Sequence, residues 1–476
     1  MNMTYTIKRS LLALPLAVLA LMTSCEEDAI VRSDSVSPYA EEIQLKGKLI
    51  DGTTLQNNSV VEMRNDQYST DITFRLSTRP KKGVDIKIQV DEAYAQTYNT
   101  AHGTDFELFP SANVSFENNG AYVLAPDDQT LPNIGVTLTA FEGMKEDQTY
   151  IVPLAVSTTT EGVILPEDAR HMVFLVKDYR SMPTPDKGAD APKNVVYFEV
   201  NDVNPLNALE FVTASGKYFF DHVVLFAANI NWNAEKQRVY VSNNPNVQFL
   251  LDNNEEYLQP LRKAGMKVII SILGNHDEAG VAQLSDMGAR EFARELAAYC
   301  DAYNLDGVAF DDEYSSAPDL SNPWLARRSY YAGSRLMYEC KVAMPDKIVS
   351  LYNLGYMYSN ELHVIDGVTP GEYCDYAVGD YGWVAQPGIG MTYKQCGGMS
   401  VELNKLYTTS EIENTARNRR DTYGYFMYFA LNPDKYRTQI SYCNAACKGL
   451  YDEELVSPTY YYPKNSNVRT SLSELN

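Results

Sequence analysis

The sequence predicts two globular domains, an antiparallel β-sandwich followed by a (β/α)8 barrel. The chain has 476 residues, which suits two domains better than one. Its first half contains short alternating strands separated by turns, whereas its second half alternates apolar strands with helices. A proline-rich segment, residues 181–193, separates the two patterns and is predicted to be the linker between the domains.

Residues 43–180 are predicted to form the sandwich. Turn sequences such as Asp51-Gly52 and Asn118-Asn119-Gly120 separate segments with one apolar face, which favours two packed antiparallel sheets. The predicted strands are Glu42–Ile50, Asp71–Leu76, Val84–Val90, Gly135–Ala140, Tyr150–Val156 and His171–Val176. No catalytic constellation is visible here, so a spacer role is favoured over glycan or partner binding.

Residues 194–470 are predicted to form the barrel, because repeated strand–helix units imply parallel strands joined by right-handed crossovers. The predicted strands include Val195–Val200, Val223–Ala227, Val268–Leu273, Leu305–Phe310 and Ile348–Tyr352, and the predicted helices include Asn246–Ala264, Gly288–Tyr303 and Trp324–Met344. In such a barrel the active site lies at the carboxyl ends of the strands.

Acidic side chains follow the predicted strand Leu305–Phe310, in which Gly307 allows close backbone packing. In an extended chain Asp311 and Glu313 point to the same side, about 7 Å apart. Two partly shielded carboxylates at this separation push their proton affinities apart, so one stays ionised while the other holds a proton near neutral pH. This arrangement suits a glycosidase. A solvated pair, or one that caps a following helix, is the structural alternative.

The segment from Asp306 to Glu313 resembles the D-G-x-D-x-D-x-E signature of glycoside hydrolase family 18, which contains chitinases and endo-β-N-acetylglucosaminidases. Asp306, Asp311 and Glu313 match the signature, whereas Ala309 stands where the family usually has an aspartate. Four further segments are similar, in the same order, to endoglycosidases of the H and F1 type: 223–231, 267–276, 345–353 and 424–432. The resemblance extends over residues 194–460, more than half of the chain.

The resemblance implies that the 2-acetamido oxygen of the substrate is the nucleophile. Glu313 would protonate the leaving oxygen and later deprotonate water, while Asp311 would orient the acetamido group and stabilise an oxazolinium intermediate. Tyr381 matches a tyrosine that donates to the acetamido oxygen, although Gly379 replaces an asparagine of endoglycosidase H. Without an acidic neighbour at position 309, we expect Asp311 to ionise more easily and the activity to be slower or shifted in pH.

Further side chains are predicted to bind substrate. Most of them follow predicted strands, where barrel loops contact ligands, and a tryptophan can stack on a sugar face, although core packing is the alternative for a tryptophan. A lone histidine favours binding over catalysis. The candidates are Asp306, Asn275, His276, Tyr352, Asn353 and Trp383.

The beginning of the chain has the features of a secreted protein. Lys8 and Arg9 precede a short apolar run, so residues 1–24 are predicted to be a signal peptide. The ending Leu21-Met-Thr-Ser-Cys25 resembles a bacterial lipobox, which implies that Cys25 is acylated and anchors the protein to a membrane.

The polar residues 25–42 are predicted to be a tether behind the lipid. Its acidic residues 26–28 resemble the surface-export signal of Bacteroidetes lipoproteins, with a solvated leader as the alternative. The resemblance to a lipoprotein with an N-terminal sandwich implies an outer-membrane protein at the cell surface, where we expect it to associate with glycan-uptake proteins.

The charge of the chain excludes some partners. The formal net charge is −22, and it becomes −24 when the signal peptide with its two cations is removed. A chain this acidic is repelled by phosphate backbones, which argues against nucleic acid as a partner. It is also repelled by anionic lipid, so the acyl group is left as the attachment to the membrane.

The six cysteines after Cys25 are widely spaced, and with five histidines they form no zinc pattern. Cys443 and Cys447 lie four residues apart in a predicted helix; packed free thiols are favoured, with a disulfide or a metal pair as the alternative. No signature indicates a metal or an organic cofactor.

The resemblance implies an endo-β-N-acetylglucosaminidase that cuts between the two core GlcNAc residues of N-glycans, with high-mannose glycans favoured. A chitinase is the enzymatic alternative. A non-catalytic glycan-binding protein is the alternative from another class, and retention of an acid at Glu313 argues against it.

Overall fold

The computed structural model describes residues 44–475. The described residues form two compact units, which divide between Ser181 and Met182. The predicted signal peptide, Cys25 and the predicted tether lie outside the described residues. Within residues 44–475, no helix combines the length and the apolar character needed to cross a bilayer.

The first unit is the predicted sandwich of two mainly antiparallel sheets, and the prediction is confirmed. Its core lies between the apolar faces of the sheets and includes Phe74, Phe109 and Phe174. One sheet consists, in spatial order, of Val163–Ile164, Leu45–Asp51, Gln67–Leu76, Thr130–Thr139 and Val114–Phe116. The other consists of Asn58–Met63, His171–Asp178, Thr149–Ser157, Val84–Val90 and Ala121–Leu124, with Glu107–Leu108 beside Thr149–Ser157. This unit also contains the helix Tyr94–His102 and the short 3-10 turns Ser111–Asn113 and Glu117–Gly120.

The second unit is a barrel of eight parallel strands, as predicted. In chain order, which is used below to number them, the barrel strands are Lys193–Glu199, His222–Asn233, Lys267–Leu273, Gly307–Asp311, Ile348–Tyr352, Tyr376–Val378, Gly397–Glu402 and Tyr425–Phe429. Their spatial order is 6-5-4-3-2-1-8-7. A parallel bridge between Ala377 and Cys396 joins the sixth strand to the seventh and closes the barrel.

Helices surround the strands, and two of them differ from the prediction. The helix predicted over Asn246–Ala264 is three short helices. The first ends before Asn253, which has a φ of −109° and a ψ of 35°. The break at Leu258 is due to Pro260, which lacks an N–H donor and whose ring interferes with the preceding turn. The helix predicted from Trp324 begins at Tyr330, where the Ser329 hydroxyl accepts a hydrogen bond from the Ala332 N–H. The helices are Pro245–Asp252, Asn254–Tyr257, Gln259–Lys263, Asp286–Ala302, Tyr330–Ala343, Pro370–Tyr373, Thr409–Arg419 and Tyr436–Tyr451.

Short elements complete this unit. Arg238–Ser242 forms a hairpin with the second barrel strand, and two small sheets pair Val212–Thr213 with Leu455–Val456 and Tyr460–Tyr461 with Thr470–Ser471. The 3-10 turns are Pro205–Glu210, Ser359–Glu361, Tyr393–Gln395, Pro433–Lys435 and Leu472–Glu474.

Alternate residues of the fourth barrel strand belong to different layers. Val308 and Phe310 pack in the core that includes the helices, whereas Ala309 packs in the apolar cluster inside the barrel. Gly307 permits close contact with the fifth strand, since a Cβ at this position would lie 2.1 Å from the Ile348 carbonyl oxygen. The strand is thereby held so that its last residue, Asp311, reaches the mouth of the barrel.

Candidate active site

The two predicted catalytic carboxylates lie at the carboxyl end of the fourth barrel strand. Asp311 is its last residue and is 3% exposed. Glu313 follows two residues later, outside the strand, and is half-buried. The carboxylates are close enough that Glu313 exerts the largest effect of any charge on the pKa of Asp311. The structure therefore brings together the two side chains that the sequence paired.

The surroundings of Asp311 favour its protonated form. Burial raises its pKa well above the usual value, and the carboxylates of Glu313, Asp312 and Asp380 raise it further. Its Oδ1 atom is buried and has no hydrogen-bond partner among residues 44–475. Because position 309 carries no acid, the sequence predicted that Asp311 would ionise more easily. Its surroundings have the opposite effect, because three other carboxylates lie near Asp311 and disfavour a second negative charge.

Asp312 is a structural residue. Its Oδ2 atom accepts a hydrogen bond of 2.8 Å from the Tyr356 N–H, which ties the end of the fourth strand to the loop after the fifth. Burial raises its pKa, while the Tyr356 N–H and the nearby Arg328 guanidinium lower it. Because adjacent residues of a strand point to opposite sides, Asp311 faces the inside of the barrel and Asp312 does not.

Two tyrosines and a carboxylate form a hydrogen-bonded group beside Asp311. The Tyr352 hydroxyl, from the end of the fifth strand, donates to Asp380 Oδ1. The Tyr381 N–H donates to the same oxygen, at 2.6 Å. Burial and the hydrogen bond to Asp380 raise the pKa of Tyr352, so its hydroxyl stays protonated. The group holds Tyr352 and Tyr381 together through a shared Asp380 oxygen.

Tyr381 is held from several sides. Its ring centroid is 6.2 Å from that of Tyr352 and 5.6 Å from that of Phe429. The Lys405 ammonium lies 4.4 Å from the ring centroid and 3.7 Å from the Glu402 carboxylate. Burial raises the pKa of Tyr381, as do the nearby carboxylates of Glu402 and Asp380. A neutral, restrained phenol of this kind can donate a hydrogen bond to an amide oxygen.

Sequence reasoning missed Asp380, Glu402 and Lys405. A signal for Asp380 was present, because it follows the buried strand Tyr376–Val378 just as Asp311 ends the fourth strand. Glu402 likewise ends the seventh strand. Lys405 carried no comparable signal, since only the course of the following loop places it over Tyr381.

Trp383 lines a cavity of about 330 Å³ that adjoins this group. Its side chain is 71% exposed, so it is available for stacking rather than part of the core. Asn353 also lines the cavity, although its amide oxygen accepts a hydrogen bond of 3.0 Å from the Ser359 N–H and holds the loop. The remaining lining residues are Tyr358, Asn360, Gly379, Asp380, Val384 and Gln386. An aromatic ring beside amides is a combination suited to sugars.

Asn275 and His276 follow the third strand and are exposed. The Asn275 amide donates to Asn231 at 3.0 Å. The His276 ring lies 5.7 Å from that of Tyr314, the residue after Glu313. His276 therefore lies beside the acid, whereas Asn275 contacts the second strand near its carboxyl end.

Asp306 lies at the other end of the barrel. Its carboxylate accepts hydrogen bonds of 2.8 and 3.1 Å from the Arg262 guanidinium and one of 2.9 Å from the Val268 N–H. It precedes the fourth strand, at the amino end, away from Asp311. These contacts are those of a structural residue and not of a substrate-binding one, because the signature spans the whole strand while only its carboxyl end reaches the site.

The six cysteines of the described residues are buried free thiols, as the sequence predicted for Cys443 and Cys447. Burial raises the pKa of the Cys443 and Cys447 thiols, so neither is an activated nucleophile. Residues 44–475 contain no cluster of side chains arranged to hold a metal ion.

Ala309 permits a direct test of the electrostatics. It is 1% exposed in the apolar cluster inside the barrel. We expect Ala309→Asp to lower the free energy of unfolding by about 1–3 kcal/mol, because it buries a polar group in this cluster. The added charge should also raise the pKa of Asp311 and shift the acid limb of the pH–activity profile to higher pH.

Ala309→Asn is the matched control, since it adds the same volume without a charge. Thermal unfolding and the pH dependence of kcat/KM would be measured for both variants. Equal acid limbs in the Asp and Asn variants would contradict the electrostatic explanation.

Comparison with known proteins adds to this geometry. A family model described as an N-terminal domain matches residues 42–163. Endo-beta-N-acetylglucosaminidase F1 of Elizabethkingia meningoseptica is 42% identical over 281 residues, which cover 56% of this chain and 81% of that protein. Endo-beta-N-acetylglucosaminidase of a Flavobacterium species is 34% identical over 254 residues, which cover 53% of this chain and 78% of that protein.

A solved structure extends the similarity to both units. The crystal structure of EndoBT-3987 from Bacteroides thetaiotamicron with Man5GlcNAc product matches with 45% sequence identity and a TM-score of 0.59, covering 89% of this chain and 99% of that one. Together with the paired carboxylates at the barrel mouth, these similarities confirm the predicted class of enzyme: the chain belongs to the endo-β-N-acetylglucosaminidases, a family of glycosidases.

Proposed function

We propose that this protein hydrolyses the β-1,4 bond between the two core GlcNAc residues of N-glycans, with high-mannose glycans as its substrates. The observation that carries the proposal is the pairing of buried Asp311 with half-buried Glu313 beside a tyrosine–carboxylate group at the barrel mouth. EndoBT-3987, which resembles this chain at 43% identity and a TM-score of 0.59, has also been crystallised with Man9GlcNAc2Asn substrate.

In the first step the substrate supplies its own nucleophile. Glu313 donates a proton to the glycosidic oxygen as the bond from that oxygen to the anomeric carbon breaks. The acetamido oxygen of the same sugar bonds to the anomeric carbon, giving an oxazolinium ion. Tyr381 donates a hydrogen bond that orients the acetamido group, and Asp311 accepts one from its N–H.

In the second step water attacks the anomeric carbon and Glu313 takes a proton from the water. The bond between the anomeric carbon and the oxazolinium oxygen breaks, which restores the acetamido group and retains the configuration. Because its surroundings raise the pKa of Asp311, the positive charge that develops on the acetamido group must favour the ionised form of Asp311, which in turn stabilises the cation. One GlcNAc remains on asparagine, and each turnover consumes one water molecule.

The test is mass spectrometry of a high-mannose glycoprotein after incubation with the chain from residue 26 onward. A single GlcNAc left on each modified asparagine is the expected product. Parallel incubations with chitin oligosaccharides and with a complex-type glycoprotein define the substrate class. Release from chitin alone would support a chitinase, and binding of the glycan without any release would support a glycan-binding protein.

We also propose that the protein is an outer-membrane lipoprotein anchored through Cys25 at the cell surface. The lipobox-like ending at Cys25 and the acidic residues behind it support this proposal. Replacing Cys25 with serine should move the protein from the membrane fraction to the supernatant, and protease added to intact cells should remove the wild-type protein. Co-purification with outer-membrane glycan-uptake proteins tests the expected association.

A further inference from the structure

Two loops are joined next to the proposed acid. The loop after the third barrel strand contains His276, whose N–H donates to the Tyr314 carbonyl at 2.6 Å. Ser316 donates to the His276 carbonyl through its hydroxyl and to the Asp277 carbonyl through its N–H, both at 2.8 Å. A Cβ at Gly274 would lie 2.1 Å from the Glu313 carbonyl oxygen. The backbone around Glu313 is therefore closely packed against the neighbouring loop.

The joined loops hold two residues in an unfavourable conformation. His276 has a φ of 55° and Tyr314 has a φ of 58°, in the left-handed region that side chains with a Cβ rarely adopt. For a bulky residue this conformation persists only where surrounding contacts enforce it, and such strain is concentrated at functional sites. The hydrogen bond from the His276 N–H to the Tyr314 carbonyl is one of those contacts. The backbone of Tyr314 therefore differs from that of an ordinary loop residue.

The Tyr314 side chain lies next to the acid. The neighbouring Glu313 carboxylate raises the pKa of Tyr314. Its ring is part of a side chain that is 58% exposed, and the His276 ring lies 5.7 Å away at an angle of 57°. An exposed aromatic face beside the acid can receive the apolar face of a sugar.

The order of the barrel strands indicates which sugar this is. The side chains proposed to hold the acetamido group come from the fourth strand and from the loop after the sixth. His276 comes from the third, on the other side of Glu313 in the strand order 6-5-4-3. A glycosidic oxygen protonated by Glu313 joins two sugars, so a glycan whose acetamido sugar lies over the fourth to sixth strands would have its leaving sugar toward the third strand.

We propose that Tyr314, supported by His276, is the platform for the GlcNAc that remains on asparagine. The inference rests on the proposed function and deepens it. Tyr314 would contact the leaving sugar, whereas His276 acts by holding Tyr314 in place.

The experiment compares two substrates, intact Man9GlcNAc2Asn and a high-mannose glycan oxazoline that lacks the leaving sugar. We expect Tyr314→Ala to lower kcat/KM for the intact substrate about tenfold or more and to change hydrolysis of the oxazoline much less. Tyr314→Phe keeps the ring and should lose much less activity on the intact substrate than Tyr314→Ala does. An equal loss on both substrates in the Ala variant, or no loss on either, would overturn the platform.

Thermal unfolding supplies a second readout. Tyr314→Gly removes the strained Cβ, so we expect Tm to rise by about 2 °C while activity on the intact substrate falls. Gln237→Gly is the matched control, since Gln237 also has a positive φ, 52°, in an exposed turn far along the chain from the site. It should raise Tm without loss of activity. A Tyr314→Gly protein with a lower Tm would show that the side chain supports the fold. If the wild type cleaves neither substrate, the proposed function fails before this inference is reached.

Discussion

Replacing Glu313 with glutamine is expected to lower kcat for glycan hydrolysis by about 10²–10⁴-fold. Glutamine has nearly the shape of glutamate but can neither give a proton to the glycosidic oxygen nor take one from water. Both steps therefore lose their acid–base group, while the contacts that bind the glycan remain. Kinetics on a high-mannose glycopeptide measure kcat and KM separately, and KM should change little.

The matched control is Asp319→Asn. Asp319 belongs to the same loop and is exposed, and its carboxylate accepts hydrogen bonds only from Ser321 among the described residues. This variant should keep wild-type kinetics. If Glu313→Gln retained wild-type kcat, another residue would have to be the acid and the assignment would be abandoned.

Replacing Asp311 with asparagine should lower kcat by about 10²–10³-fold, because the ionised carboxylate stabilises the positive charge that develops on the acetamido group. The same change should remove the acid limb that the Asp311–Glu313 pair contributes to the pH–rate profile. In the wild type this limb is expected at a higher pH than for an ordinary carboxyl, since burial and neighbouring carboxylates raise the pKa of Asp311. An unaltered acid limb in the Asn variant would contradict the assignment.

The stability of the Asp311→Asn variant should change in the opposite sense to its activity. The folded pKa of Asp311 is raised above the usual 3.8, so its contribution to stability is complete below that value and is lost as pH rises toward the folded pKa. Asparagine cannot ionise and escapes this loss. The variant should therefore become increasingly more stable than the wild type between about pH 4 and neutral pH. Thermal unfolding across this range measures the difference, and a constant difference would count against the raised pKa.

The sequence was informative wherever function depends on residues close together in the chain. Asp311 and Glu313 could be paired because a strand repeats every two residues, and Gly307 could be identified as a point of close packing. Asp306 belongs to the same signature, yet it lies at the other end of the strand with Arg262. A signature records residues that are near in sequence, and it does not state which end of the strand reaches the substrate.

Periodicity and turn residues by themselves determined the two-domain order, the sandwich, the barrel and the strand that carries the acids, because these depend on local patterns of apolar side chains. Only the tertiary structure decided the ionisation of Asp311, the pairing of Tyr352 with Asp380, the position of Lys405 over Tyr381 and the strained contact of His276 with Tyr314. Each of these features depends on residues that lie at the ends of different barrel strands or in the loops that follow them. Burial and charge at such a junction depend on every strand that meets there, and no single segment of the chain contains that information.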